Sequence, residues 1–142
     1  MTTSRKPRQP SEAELAQMER EQALSTINYN LGQQLPFILP VFDQLQTSIT
    51  AAMATQGFWD SANTGEKIAL MHSELSEMLE ADRKSIDTSE HIPEFSGVEE
   101  ELADLIIRAL DFAGYHNLRL GEAILAKMTF NLNRPFKHGK KY

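Results

Sequence analysis

Residues 65–83 read GEKIALMHSELSEMLEADR. Ile68, Met71, Leu75, Met78 and Leu79 recur at the three- and four-residue steps that gather side chains on one face of an α-helix. Asn63 stands three residues before Glu66, a helix-start signal, so the spacing predicts a helix over about 64–83 with those five apolar residues buried. The same segment carries Glu74 and Glu77, which are three apart and so share a face one turn from each other. Leu70 and Ala81 extend that second strip, whereas His72 faces elsewhere and reads as structural or as a neighbour of the site.

The device recurs downstream in EEELADLIIRALD, residues 99–111. Ser96 with Glu99 has capping-box spacing and predicts a helix over about 97–115, its apolar face made of Val98, Leu102, Leu105, Ile106 and Ala109. Glu101 and Asp104 are again three apart, and Arg108 and Asp111 continue their line. The polar stretch KSIDTSEHIPEF, with Pro93 inside it, is a connection of about a dozen residues, so the two helices are expected to pack antiparallel as a hairpin. That arrangement gathers Glu74, Glu77, Glu101 and Asp104 around one point, with the small Ala103 and the apolar Leu75 and Leu102 beside the acidic strip. Four carboxylates without a cation repel one another. A hard divalent ion such as Mg²⁺ takes oxygen ligands and commonly bridges to phosphates. The competing reading of the same residues is two solvated acidic faces on amphipathic helices, and the spacing leaves both open. A di-iron bundle needs Glu-x-x-His on its helices, and none of His72, His91, His116 and His138 has a glutamate three residues before it.

Beyond the hairpin, Gly114 and HNLRLG form a turn, and Leu120, Ile124 and Met128 predict a helix over about 120–132 that Pro135 forbids to continue. Lys127 and Asn131 lie four apart on one face of it, Arg134 follows, and PFKHGKKY ends the chain. Lysine offers a point charge for phosphate and arginine a planar fork, and asparagine can donate to a phosphate oxygen or a sugar hydroxyl. The alternative for this basic end is a loose tail. Upstream, Phe58 and Trp59 in the loop GFWDSANTGEK either stack on a base or pack on the helices. Val41, Leu45, Ile49 and Met53 predict a helix over about 41–56, with Gly57 suited to its end. Pro36 and Pro40 in LPFILPVF disfavour helix just before them and predict a break. Ser11 with Glu14 caps a first helix over about 11–31, with the thin apolar face Leu15, Met18, Ala23 and Ile27. Residues 1–10, polar and basic with two prolines, predict a disordered tail ahead of a single domain over 11–142. No stretch alternates as a strand does, so the fold class is all-α with about four to five helices.

Composition narrows the function. The chain has no cysteine, which excludes disulfides and thiolate metal sites. No apolar run approaches the roughly 20 residues that span a membrane. The opening MTTSRKPRQPSEAE lacks the apolar core of a secretory signal, so a cytoplasmic location is expected. The net charge of −6 is unevenly spread: Thr64–Asp111 holds 13 acidic and 4 basic residues, while Lys127–Tyr142 holds five basic residues and no acid. An acidic body argues against a nucleic-acid polymer as partner. An acidic middle with a basic end suits a cation together with a small polyanion.

The segments GEKIALMHSELSEMLEADR, VEEELADLIIRALDFAG and LAKMTFNLNRPFKHGK resemble the MazG-like all-α nucleoside triphosphate pyrophosphohydrolases, over roughly residues 57–140. The order Glu-x-x-Glu, spacer, Glu-x-x-Asp, then Lys and Asn is that family's pattern. The resemblance implies that Glu74, Glu77, Glu101 and Asp104 bind Mg²⁺, with Mn²⁺ able to take its place, and carry the catalysis. It implies phosphate or sugar contacts for Lys127 and Asn131, and more weakly for Arg134. Arg108 falls where relatives often place a substrate-contacting residue of another type, and Trp59 is the candidate for stacking on the base. The implied reaction converts a nucleoside triphosphate and water to the monophosphate and pyrophosphate, in a homodimer or homotetramer whose subunits complete the helical bundle. The contrasting expectation is a catalytically silent scaffold, or a regulatory nucleotide-binding protein, with the same fold.

Overall fold

The computed structural model describes residues 9–61 and 63–134, and among them it is all-helical with no strand. Four helices follow in order: α1 Glu12–Thr55, α2 Thr64–Lys84, α3 Gly97–Tyr115 and α4 Leu120–Leu132. The first eight residues of the expected tail, and the basic end from Pro135 onward, lie outside the described residues. No described helix is long and apolar enough to cross a membrane.

The caps read from the sequence form as local chemistry dictates. The Ser11 hydroxyl accepts from Glu14 N–H at 3.3 Å while the Glu14 carboxylate accepts from Ser11 N–H at 2.7 Å. Asn63 Oδ1 accepts from Glu66 N–H at 2.9 Å at the start of α2, and Ser96 and Glu99 form a reciprocal capping box on α3. Each satisfies N–H groups that the first helical turn leaves without a partner. Gly57, with φ +76°, closes the turn after α1 in a conformation that side chains with a Cβ rarely adopt.

The expected break at Pro36 and Pro40 does not occur. α1 runs unbroken for 44 residues. The two prolines are one turn apart, and both are exposed. The carbonyls that lose their helical donors, on Gly32 and Pro36, therefore fall on one solvent-facing stripe where water can replace the missing bonds. On another face a partly covered stripe passes straight through them: Leu24, Asn28, Leu31, Leu35, Leu39, Phe42, Gln46, Ile49 and Met53.

The chain forms two compact units, Met1–Ile38 with Leu125–Tyr142, and Leu39–Ile124. In the first, the early turns of α1 and the end of α4 flank a groove that includes Ala13, Gln17, Leu24, Leu132 and Arg134. The second is built on the α2–α3 hairpin. Ala81 meets Gly97, Glu74 meets Arg108 and Lys67 meets Asp111, so the helices run antiparallel as their short connection requires. The later turns of α1 pack on this hairpin, and Gly114 makes room for them, because a Cβ there would overlap Thr50 Oγ1.

Which faces of the hairpin are buried differs from expectation. Ile68, Leu75 and Leu79 of α2 are 44 %, 43 % and 48 % exposed, and Leu102 and Ile106 of α3 are likewise exposed. Lys67, Glu74, Ala81, Leu110, Asp111 and Ala113 are buried instead. The small pair Ala81 and Gly97 explains the orientation. A Cβ at position 97 would lie 3.2 Å from that of Ala81, so the backbones approach closely there and the strips in line with that pair turn inward.

Candidate functional site

One strip on each helix of the hairpin builds the site. On α2 it runs Lys67, Leu70, Glu74, Glu77, Ala81, and on α3 Gly97, Glu101, Asp104, Arg108, Asp111, in steps of three or four residues. Glu74, Glu77 and Glu101 each offer a carboxylate oxygen within 4.8 Å of the others. Glu74 is buried, Glu101 half-buried and Glu77 exposed. Burial first, and then the charges of Glu77 and Glu74, push the Glu101 carboxyl up to about 7. A carboxyl held that high marks an excess of negative charge and a deficit of water. Both would be relieved by a hard cation, and carboxylate oxygens are the donors such an ion takes, so the residues fit a divalent metal ion.

The chain supplies one cation itself. Arg108 Nε donates to Glu74 Oε1 at 2.5 Å, the two side chains being 34 % and 4 % accessible. Asp104, one turn further along α3, is not among the three converging carboxylates. It is exposed, and its carboxyl is raised by shielding from water and by Glu74, with Arg108 opposing. The structure thus gathers three of the four acids that spacing grouped together and leaves Asp104 beside them.

Asp104 and Arg108 instead line a cavity of about 250 Å³ with Lys67 and Asp111, its apolar walls being Met53, Phe58, Leu70 and Ile107. Trp59 does not line it. The indole Nε1 donates to both carboxylate oxygens of Asp111, at 2.9 and 3.0 Å. One ring face stacks on Tyr115 with centroids 3.6 Å apart, and the Lys67 ammonium sits 4.2 Å from the centroid over the other. With both faces covered Trp59 packs on the protein, and of the two loop aromatics it is Phe58 that reaches the cavity.

The connection between the helices is ordered from α3. Ser89, almost wholly buried, donates to Glu100 Oε2 at 2.6 Å and accepts from the N–H groups of His91 and Ile92. His91 Nδ1 lies 2.6 Å from Glu100 Oε1. These bonds hold Glu100 below the usual carboxylate range, Ser89 contributing most, and raise His91 above the ordinary imidazole value.

Lys127, Asn131 and Arg134 belong to the other unit. Lys127 Nζ lies 4.7 Å from the Phe130 ring centroid and Arg134 Cζ 5.8 Å from it, while the Asn131 carbonyl accepts from Arg134 N–H at 3.2 Å. Two residues escaped the sequence reading. Lys67 carried a signal, since it precedes Glu74 by seven residues and so shares its face. Glu100 carried none, because its partners come from a loop whose path only folding decides. No family model, curated protein or solved structure matches the chain.

Proposed function

We propose that the chain is a Mg²⁺-dependent nucleoside triphosphate pyrophosphohydrolase of the MazG-like kind. The observation that carries the reading is the convergence of Glu74, Glu77 and Glu101, with Glu74 bonded to Arg108, a residue that lines the cavity. The order of motifs along the chain supports it as well. In this reading Glu74, Glu77 and Glu101 hold the ion, with Asp104 beside them. Bound Mg²⁺ would neutralise charge on the phosphates and polarise them. The attacking water bonds to the α-phosphorus, the bridging bond to the β-phosphate breaks, and pyrophosphate leaves with the bonding pair. One carboxylate of the set, Glu77 or Glu74, positions the attacking water or takes its proton, directly or through the metal. Arg108 exchanges its bond to Glu74 for the phosphates and offsets their charge. By the resemblance, Lys127, Asn131 and Arg134 contribute phosphate or sugar contacts. The exposed apolar faces of α2 and α3 support a homodimer or homotetramer, and the reading places the enzyme in the cytoplasm with its substrates.

The test is turnover of each ribo- and deoxyribonucleoside triphosphate with Mg²⁺, with the products resolved, beside a Glu77→Gln, Glu101→Gln variant. Monophosphate plus pyrophosphate, reduced at least about a hundredfold in the variant, is expected. Diphosphate plus phosphate, or no turnover of any nucleotide, would overturn the reading and favour a silent scaffold or regulator.

A further inference from the structure

Lys67 is in an unusual position for a lysine. Its side chain is only 9 % accessible, and lysine is rarely so buried unless paired. The nearest carboxylate oxygen, on Asp111, is 3.8 Å from Nζ, close enough for attraction but too far for a hydrogen bond. Asp111 cannot easily come closer, since both its oxygens accept from Trp59. The ammonium is held by ring faces, 4.2 Å from the Trp59 centroid and 5.5 Å from that of Phe58. Its three N–H donors have no hydrogen-bond acceptor among the described residues, and Nζ is not among the side-chain atoms shut off from solvent. They border the cavity, so a ligand there can supply the acceptor.

The place of Lys67 along the cavity indicates which part of a ligand it meets. From Asp104 to Asp111 is two turns of α3, about 10 Å at helical rise. Arg108, the cation suited to phosphate, stands at the Asp104 end and is bonded to Glu74 of the acidic cluster. Lys67 lies at the Asp111 end, about two helical turns from Glu74 and so from the cluster that would hold the metal and the phosphates. Between the ends the walls are apolar, with one aromatic ring, as suits a flat heterocycle.

We infer that Lys67 selects the nucleobase, its ammonium donating to a ring carbonyl oxygen, so that bases bearing a carbonyl are favoured over adenine, which has none. The inference rests on the pyrophosphohydrolase reading for the identity of the ligand. Because an ammonium only donates, it rewards an acceptor and rejects the amino group that adenine presents.

The experiment uses the full chain and its Lys67→Met and Lys67→Arg variants, with Mg²⁺. Binding of UMP and AMP is measured by calorimetry, and kcat/KM is measured for UTP and ATP. The wild type is expected to prefer the uracil nucleotide, and Lys67→Met to reduce that preference about ten- to a hundredfold, the worth of a hydrogen bond to a charged donor. Lys67→Arg, which keeps the donors, is expected to retain part of the preference. A melting curve identifies any variant that fails to fold, and the arginine variant then carries the test. Equal losses for both bases would mean a purely structural lysine and would overturn the inference. So would a wild type with no preference. If the wild type hydrolyses nucleotides and Lys67→Met keeps the same base ratio, the inference fails and the hydrolase reading stands. If nothing is hydrolysed but the UMP preference disappears in Lys67→Met, base selection stands and the hydrolase reading fails.

Discussion

Glu101 shows how a side chain's neighbours set its chemistry. A glutamate ordinarily ionises near 4.5, and this one is pushed up to about 7 by burial and by Glu77 and Glu74. Between those values the folded protein keeps a proton that the unfolded chain has released. Stability of the metal-free protein should therefore fall as pH rises from about 4.5 to about 7, and then level off as far as this group is concerned. Chemical denaturation across that range checks the sign. The same proton must leave before a cation can bind, so divalent-ion affinity should weaken about tenfold for each pH unit below 7 and become constant above it. Calorimetric titration of Mg²⁺ between pH 5.5 and 8 measures this, and an affinity independent of pH would remove Glu101 from the ligand set. The three-residue spacing made Glu101 visible as a candidate in the sequence. Its protonation was not visible, because that depends on carboxylates contributed by another helix.

The helices show where local rules suffice and where they do not. Ser11, Asn63 and Ser96 cap as their spacing to a glutamate predicts, since a cap is a bond between residues three apart and needs nothing from the rest of the fold. The prolines of α1 are the opposite case. Each costs a helical bond, yet the apolar stripe on another face continues across them and the helix persists. Pro36→Ala should restore the bond to the Gly32 carbonyl and remove a steric clash, stabilising the protein by about 1–3 kcal/mol. Thermal and denaturant melts followed by circular dichroism test this. A neutral or destabilising result would mean that Pro36 has a role in packing that the exposed stripe does not explain.

Across the whole molecule, the buried apolar side chains among the described residues are only Ala81, Leu110 and Ala113, while many large ones are exposed. An apolar stripe of that extent on a hairpin is what an interface looks like before its partner is in place. If a second copy of the chain covers it, as proposed, Ile106→Glu should shift the sedimenting species from a multiple of 16.0 kDa to the single-chain mass, because a carboxylate would be buried against apolar surface. A wild-type protein already at the single-chain mass would refute that assembly.

The sequence by itself determined the helical class, the ends of α2, α3 and α4, the caps and the two pairs of acids. All of these follow from interactions within a few residues along the chain. Only the tertiary structure decided which of two competing strips on each hairpin helix faces inward. Periodicity marks both Ile68–Leu75–Leu79 and Lys67–Glu74–Glu77, and a helix can present either. The close approach of Ala81 and Gly97 set the rotation, turned the charged strips toward each other and left the apolar ones outside. It also brought Lys67 to Asp111 and Arg108 to Glu74, contacts between residues 44 and 34 positions apart that no local pattern encodes.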